Sequence, residues 1–346
     1  MANLAASPIG HNTRPLGGNS SPLAFCSVEV GPFCSASSVL VVAGKGGAGK
    51  STVAATLAWL GADAGLRCLL VDLEGRPELP QAFGVTEVLG FEPTRLLEVG
   101  AGSVEGRLIT SELALVEYFD DHGMGRLGRT LKRSGLLEVV ANAVPGLRDL
   151  LVLGKVKQLE ASRAYDLIVV DAPATGHAVT MLTTPAGMRS AATTGPLRQQ
   201  AEEVAAMLAD PSRCRVLLVT LAEELPVAET IEAAFRVEDE AGVALAPVVV
   251  NALLADRPGL EVPAVEAARQ AGQVIDPSAL ADLEAARTLQ LVRVARQREE
   301  LLHLHAELPL PTIALPRVAS AEVGPAELAQ LGAAMRREVE ALRGTA

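Results

Sequence analysis

The chain has 346 residues, room for one large α/β domain or two ordinary ones, and its 30 basic and 41 acidic side chains leave a net charge of −11. That balance excludes a general affinity for nucleic-acid phosphates or anionic lipid, so any anion must be captured locally. Apolar residues make up 49% and aromatics only 3%, the composition of a helix-rich α/β protein, and no apolar run reaches the ~18–20 residues of a membrane span.

In chain order, residues 1–37 read as a disordered tail: Ser, Pro, Gly and Asn are dense, no apolar period persists, and no signal-peptide core follows Arg14. From Ser38 short β-branched runs alternate with helical stretches. The runs are Val39–Ala43, Cys68–Leu73, Leu167–Ala172, Val216–Thr220, Pro247–Asn251 and Thr312–Leu315. Near-continuous apolar strands separated by helices predict a mostly parallel sheet covered on both faces. Without a second set of such units, residues 38–346 read as one domain.

Two insertions are expected to be helical, one over about 92–163 (with helices at 113–119, 127–140 and 147–159) and one over about 263–307. The second carries a stripe of Leu283, Ala286, Leu289, Gln290, Val292 and Ala295. Either block reads as extra core, or as a surface for a client. In the closing helix, Leu328, Leu331, Met335 and Val339 share one face and suit packing better than a membrane surface, because acids intervene. Cys26, Cys34, Cys68 and Cys214 form no C-x-x-C pair, so neither a disulfide framework nor a zinc site is expected, and a reducing, cytoplasmic setting fits.

Only five basic residues are lysines, and two of them lie within six positions in a glycine-rich stretch. Val39–Ala43 runs into Gly44-Lys45-Gly46-Gly47-Ala48-Gly49-Lys50-Ser51-Thr52, which satisfies G-x-x-x-x-G-K-[ST] between a strand and a helix. Backbone N–H groups of such a loop wrap phosphates, Lys50 would lie between β- and γ-phosphates, and Ser51 would offer its hydroxyl to Mg²⁺. A strongly acidic chain can thus hold ATP because the field is local. The second strand ends Val71-Asp72-Leu73-Glu74-Gly75-Arg76, which puts two carboxylates on one side, facing the nucleotide. The third ends Val170-Asp171-Ala172-Pro173-Ala174-Thr175-Gly176-His177, where Asp171 is a Walker B carboxylate.

The extra lysine in G-K-G-G-x-G-K-[ST] resembles the deviant Walker A class, which includes the MinD and ParA ATPases, the nitrogenase iron protein and the ArsA-type ATPases. In that class the first lysine, here Lys45, reaches the partner's nucleotide across a dimer; the resemblance also implies that Asp72 helps hold the Mg²⁺ hydration shell. It implies that Glu74, where the class usually has Asp, orients the attacking water. The D-x-x-x-T-G-H run looks like the ArsA-family switch, with Asp171, Thr175, Gly176 and His177 coupling the γ-phosphate to the client site; its proline is displaced by one position. Asn251 matches the strand-end asparagine that pairs with adenine, Pro316 and Arg317 sit where the adenine-covering loop begins, and Pro145–Asp149 resembles the P-G-x-x-E segment. The chain looks most like one subunit of the paired ArsA-like ATPases of actinobacteria.

The expectation is therefore a Mg²⁺-dependent ATPase, cytoplasmic or peripheral to the membrane. It works as a homodimer, or as a heterodimer with a second ArsA-like chain, on an anion, a hydrophobic client or a membrane partner. Without a cysteine cluster, arsenite pumping is disfavoured, as are a zinc-clasped homodimer and an iron–sulfur cluster, and bulk acidity counts against nucleic acid. The alternatives are a MinD- or ParA-type positioning ATPase and a nucleotide-binding partner subunit with little hydrolysis.

Overall fold

The structure, a computed structural model, describes residues 29–121, 123, 126, 130, 145–191 and 194–342. The expected tail as far as residue 28, Cys26 with it, lies outside these residues, as does almost all of the expected helix over 127–140.

One sheet of eight strands organises the molecule: β1 (Val39–Gly44), β2 (Arg67–Asp72), β3 (Thr94–Val99), β4 (Gly102–Leu108), β5 (Leu167–Ala174), β6 (Cys214–Leu221), β7 (Val248–Leu253) and β8 (Thr312–Pro316). Their order is β3-β4-β2-β5-β1-β6-β7-β8. Every neighbouring pair is parallel except β3 with β4, so the mostly parallel sheet expected from the apolar runs is present. Alternation along each strand divides the core. Val39, Val41, Leu69, Val71, Ile168 and Val170 face one side, and Leu40, Val42, Cys68, Leu70, Leu167 and Val169 face the other.

The first side is covered by α4 (Ser111–Asp121), α5 (Leu147–Ala161), α6 (Thr175–Ala191), α7 (Pro196–Ala209) and α8 (Glu224–Asp239). The second is covered by α1 (Val30–Ser35), α2 (Lys50–Asp63), α3 (Glu78–Gln81) and α11 (Pro325–Ala341). Two further helices lie among the described residues, the short α9 (Ala264–Gln270) and the 31-residue α10 (Pro277–Glu307). In α11 the apolar stripe is buried, with Leu328, Leu331, Met335 and Val339 no more than 2% exposed. It is a packing helix.

Three expectations need correction. The tail boundary at 37 is too late: α1 docks on α2, burying Val30 and Cys34 in the core. The segment over 92–163 is not helical throughout, because it opens with the β3–β4 hairpin, whose second strand pairs in parallel with β2. The stripe on α10 is not core: Leu283, Leu289 and Val292 are 49%, 53% and 44% exposed, and only Val294 and Leu304 of that helix are buried. At 1.5 Å per residue α10 is about 46 Å long, and most of it lies at the surface.

Among the described residues no helix is long and apolar enough to cross a membrane.

Candidate functional site

Register places the chemistry at the carboxyl ends of the central strands. Asp72 pairs with Asp171 across β2–β5, Val42 with Asp171 across β1–β5, and Gly44 with Val219 across β1–β6. β1 is central and its two neighbours lie to either side, so the loop that leaves it opens into the crevice where such sheets bind ligands.

That loop is the glycine-rich segment. Ala48 N–H donates to the Lys45 carbonyl at 3.2 Å, and Lys50 begins α2. Gly49 has φ +86°, and a Cβ there would lie 2.2 Å from the amide nitrogen of Asn251; no other residue combines that backbone with that clearance. The Asn251 amide in turn donates to the Ala48 carbonyl at 2.9 Å, tying the end of β7 to the phosphate loop. Lys50 is buried, with Nζ 3.4 Å from the Lys45 carbonyl. Burial first, and then the nearby Arg76, lower its pKa.

Facing the loop, Ser51 Oγ donates to Asp171 Oδ2 at 2.6 Å. The Asp171 carboxyl is 2% exposed, its Oδ1 has no hydrogen-bond partner, and burial pushes its pKa up to about 6. A buried carboxylate oxygen left unpaired is costly. One hydroxyl and one unsatisfied carboxylate beside a phosphate cradle are a donor set that Mg²⁺ accepts, since it takes few protein ligands and completes its shell with phosphate and water. These residues fit the metal that the loop implies.

Asp72, also buried, folds its own turn: Oδ1 accepts from the N–H groups of Glu74 and Gly75, both at 2.9 Å, and Oδ2 accepts from that of Arg76 at 2.7 Å. Burial still raises its pKa, against those three bonds. Its expected place in the metal's shell is thus joined by a structural task that spacing alone did not reveal. The turn presents Glu74 and Arg76, which form an ion pair, and Arg76 Nη1 donates to Ser51 Oγ at 2.9 Å. Although burial opposes it, the bond to Glu74 and the charges of Asp171, Glu74 and Asp72 hold the guanidinium pKa above its ordinary value.

Lys45, expected to point toward a partner, makes an ion pair at 2.8 Å with Glu229 of α8 in its own chain. Together with Gly46, Ala174, Thr175 and Gly176 these two line a groove of about 360 Å³. Strand β5 passes directly into α6 at Thr175, so Asp171 stands in the strand while Thr175, Gly176 and His177 form the first turn of a helix, with Thr175 on the same groove as the loop residues Lys45 and Gly46. His177 lies at the surface, while burial raises the pKa of Asp149 against the hydrogen bond that Thr184 of α6 donates to it at 3.2 Å. The Pro145–Asp149 segment therefore packs along the switch helix.

A larger cavity of about 910 Å³ opens beside Gly47 and is lined by Asn251, Ala252, Arg317 and, from α10, Arg293, Arg296 and Gln297. Ala252 sits at φ +55°, rare for a residue with a side chain, and Arg317 N–H donates to the Leu253 carbonyl at 2.8 Å. Pro316 pairs with Leu253 at the end of β8. Asn251, Pro316 and Arg317, distant in sequence, thus meet on one side of the loop. The α10 contribution was not foreseen. Gln297 holds Leu254 by both its N–H, at 3.0 Å, and its carbonyl, at 3.3 Å, and so docks the second helical block against the site. Arg76 and Glu229 were also missed. Arg76 stands within the motif itself, a basic residue in an acidic turn; nothing near Glu229 in sequence points to Lys45.

A phosphate loop on the first strand of a parallel sheet, answered by a strand-end aspartate on the neighbouring one, defines the P-loop nucleoside-triphosphatase class. Residues 37–195 match the family model described as anion-transporting ATPase. The chain is 40% identical over 200 residues to ATPase BagA of Mycobacterium tuberculosis, covering 56% of this chain and 58% of that protein. It is 29% identical over 234 residues to a putative arsenical pump-driving ATPase of Halobacterium salinarum (62% and 35%), and 28% identical over 158 residues to ATPase GET3 of Mycosarcoma maydis (44% and 43%). Over its phosphate-loop region the chain is similar to the anion-transporting, ArsA-type ATPases. It spans about half the length, or less, of these relatives.

Proposed function

We propose that this protein binds MgATP at Gly44–Thr52 and hydrolyses it as a dimer, using the energy to move its helical blocks against a client. The observation that carries the reading is the buried, unsatisfied Asp171 Oδ1 beside the Ser51 hydroxyl at the mouth of the phosphate loop. Ser51 and Asp171 would hold Mg²⁺, Asp171 through water, and Asp72 would add to that shell with the lone pair its turn leaves free. Bound Mg²⁺ would neutralise charge on the β- and γ-phosphate oxygens. Lys50 supports the same phosphates from within the chain. Glu74, released from Arg76, would orient the attacking water. Asn251, with Pro316 and Arg317, would take the adenine, because one amide both donates and accepts.

Lys45 would leave Glu229 and reach the nucleotide of a partner, either a second copy or another ArsA-type chain, while Asp171, Thr175, Gly176 and His177 report the γ-phosphate to α6. Phosphate release and nucleotide binding by purified variants test this. Lys50→Ala should lose both, and Lys45→Ala should lose turnover by about 1,000-fold or more while keeping binding, the scale of a missing finger cation. Normal hydrolysis by Lys45→Ala would sink the trans-lysine role.

A second reading has its own support. Glu74 is tied to Arg76, which favours a nucleotide-binding subunit that turns ATP over slowly and regulates a partner. Tight ATP binding without phosphate release from the purified chain would select it.

A further inference from the structure

The turn after β2 delivers a cation to the place where the nucleotide's metal would bind. Arg76 is anchored at its root, since its N–H donates to Asp72 Oδ2 at 2.7 Å, and at its tip, where Nη1 donates to Ser51 Oγ at 2.9 Å and Nη2 pairs with Glu74. The carboxylates of Asp72, Glu74 and Asp171 stand around this turn, Glu74 paired with the guanidinium and Asp171 sharing Ser51 Oγ with it. Lys50 is the other cation in the cluster, and the two repel. Ser51 has one proton and two lone pairs. The proton goes to Asp171 and one lone pair receives the guanidinium, so a metal ligated by Ser51 must share that oxygen with Arg76 or displace it. Two positive charges that close, within a half-buried carboxylate cluster, oppose each other strongly.

We propose that Arg76 is a resident counter-ion that competes with the divalent cation for Ser51 and its carboxylates, so that the arriving metal displaces the guanidinium and frees Glu74. Arg76 is thus a positioning residue, coupling metal entry to release of the carboxylate that faces the water. This rests on the reading of Ser51 and Asp171 as metal ligands.

The test is Mn²⁺ binding to the full chain, followed by the electron paramagnetic resonance signal of free Mn²⁺, with and without a non-hydrolysable ATP analogue. Arg76→Gln should bind Mn²⁺ about tenfold more tightly than wild type when no nucleotide is added, the effect of removing one close like charge. Arg76→Lys keeps the charge but cannot bridge Ser51 and Glu74 as a fork does, and should fall between the two. Adding Asp171→Asn to Arg76→Gln should abolish the gain, which a misfolded variant could not produce. Asp171-dependent binding that is no tighter in Arg76→Gln and Arg76→Lys than in wild type overturns the counter-ion. If Asp171→Asn binds Mn²⁺ like wild type with the analogue present, the metal reading falls, and the counter-ion with it.

Discussion

At the scale of single residues, the site is held together by side chains with two tasks. Asn251, proposed above to meet adenine, already closes its amide on the Ala48 carbonyl, and Ala48 is 1% exposed. Asn251→Ala should therefore cost stability as well as selectivity. Leaving that buried carbonyl unpaired predicts a loss of about 1–3 kcal/mol in urea unfolding, together with a narrower preference for ATP over GTP. Altered selectivity at unchanged stability would mean that the bond to the loop contributes nothing. The motif residues were legible because spacing alone brings them to one strand end: Lys50, Ser51 and Asp171 lie where the pattern puts them. Arg76 and Glu229 were not, because an ion pair between α8 and a loop 184 positions away in the chain leaves no local trace. Asp72 was legible as a carboxylate at the site, but not as the acceptor for the N–H groups of Glu74, Gly75 and Arg76.

At the scale of elements, apolar periodicity identified six of the sheet's eight strands and the packing face of α11. It missed β3 and β4 because their charged residues, among them Arg95, Glu98, Glu105 and Arg107, break the apolar run, and because Arg107 is buried by stacking on Phe91 at 4.5 Å rather than by being apolar. It missed α1 for lack of length, since a six-residue helix shows hardly two turns of period. Docking of α1 can be checked by thiol chemistry. Burial pushes the Cys34 and Cys214 thiols up to about 12 and Cys68 higher still, and only thiolates react. In a Cys26→Ser variant the native protein should leave a thiol reagent unconsumed over minutes at pH 8, and denaturant should release the three remaining thiols. Rapid loss of one thiol would undock α1. The α2–α11 contact has its own signature: a Cβ on Gly332 would lie 2.2 Å from the Trp59 ring. Gly332→Ala should destabilise by about 1–3 kcal/mol as an overpacked core does, and Trp59→Leu in the same chain should recover part of it. Additive losses in the double variant would show that the two do not meet.

At the scale of the whole molecule, the described residues contain one phosphate loop, and the lysine that the proposed mechanism assigns to a partner is held in cis by Glu229. On that mechanism a monomer would have the groups for binding ATP and lack one for turnover. Activity would then be a property of pairs, and mixing two inactive variants tests it directly. Lys45→Ala keeps its own nucleotide site but has no lysine to donate; Asp171→Asn has the lysine but a damaged metal site. Each alone should be nearly inactive. In an equal mixture that exchanges subunits, half of the dimers pair one of each, and in those dimers one of the two sites is complete. Phosphate release should therefore return to about a quarter of the wild-type rate for a two-fold dimer, and should fall on dilution as pairs separate. No recovery on mixing, under conditions where exchange is verified with tagged chains, would mean that Lys45 acts within its own chain. In that case the pair with Glu229 would be its working geometry and not a resting one.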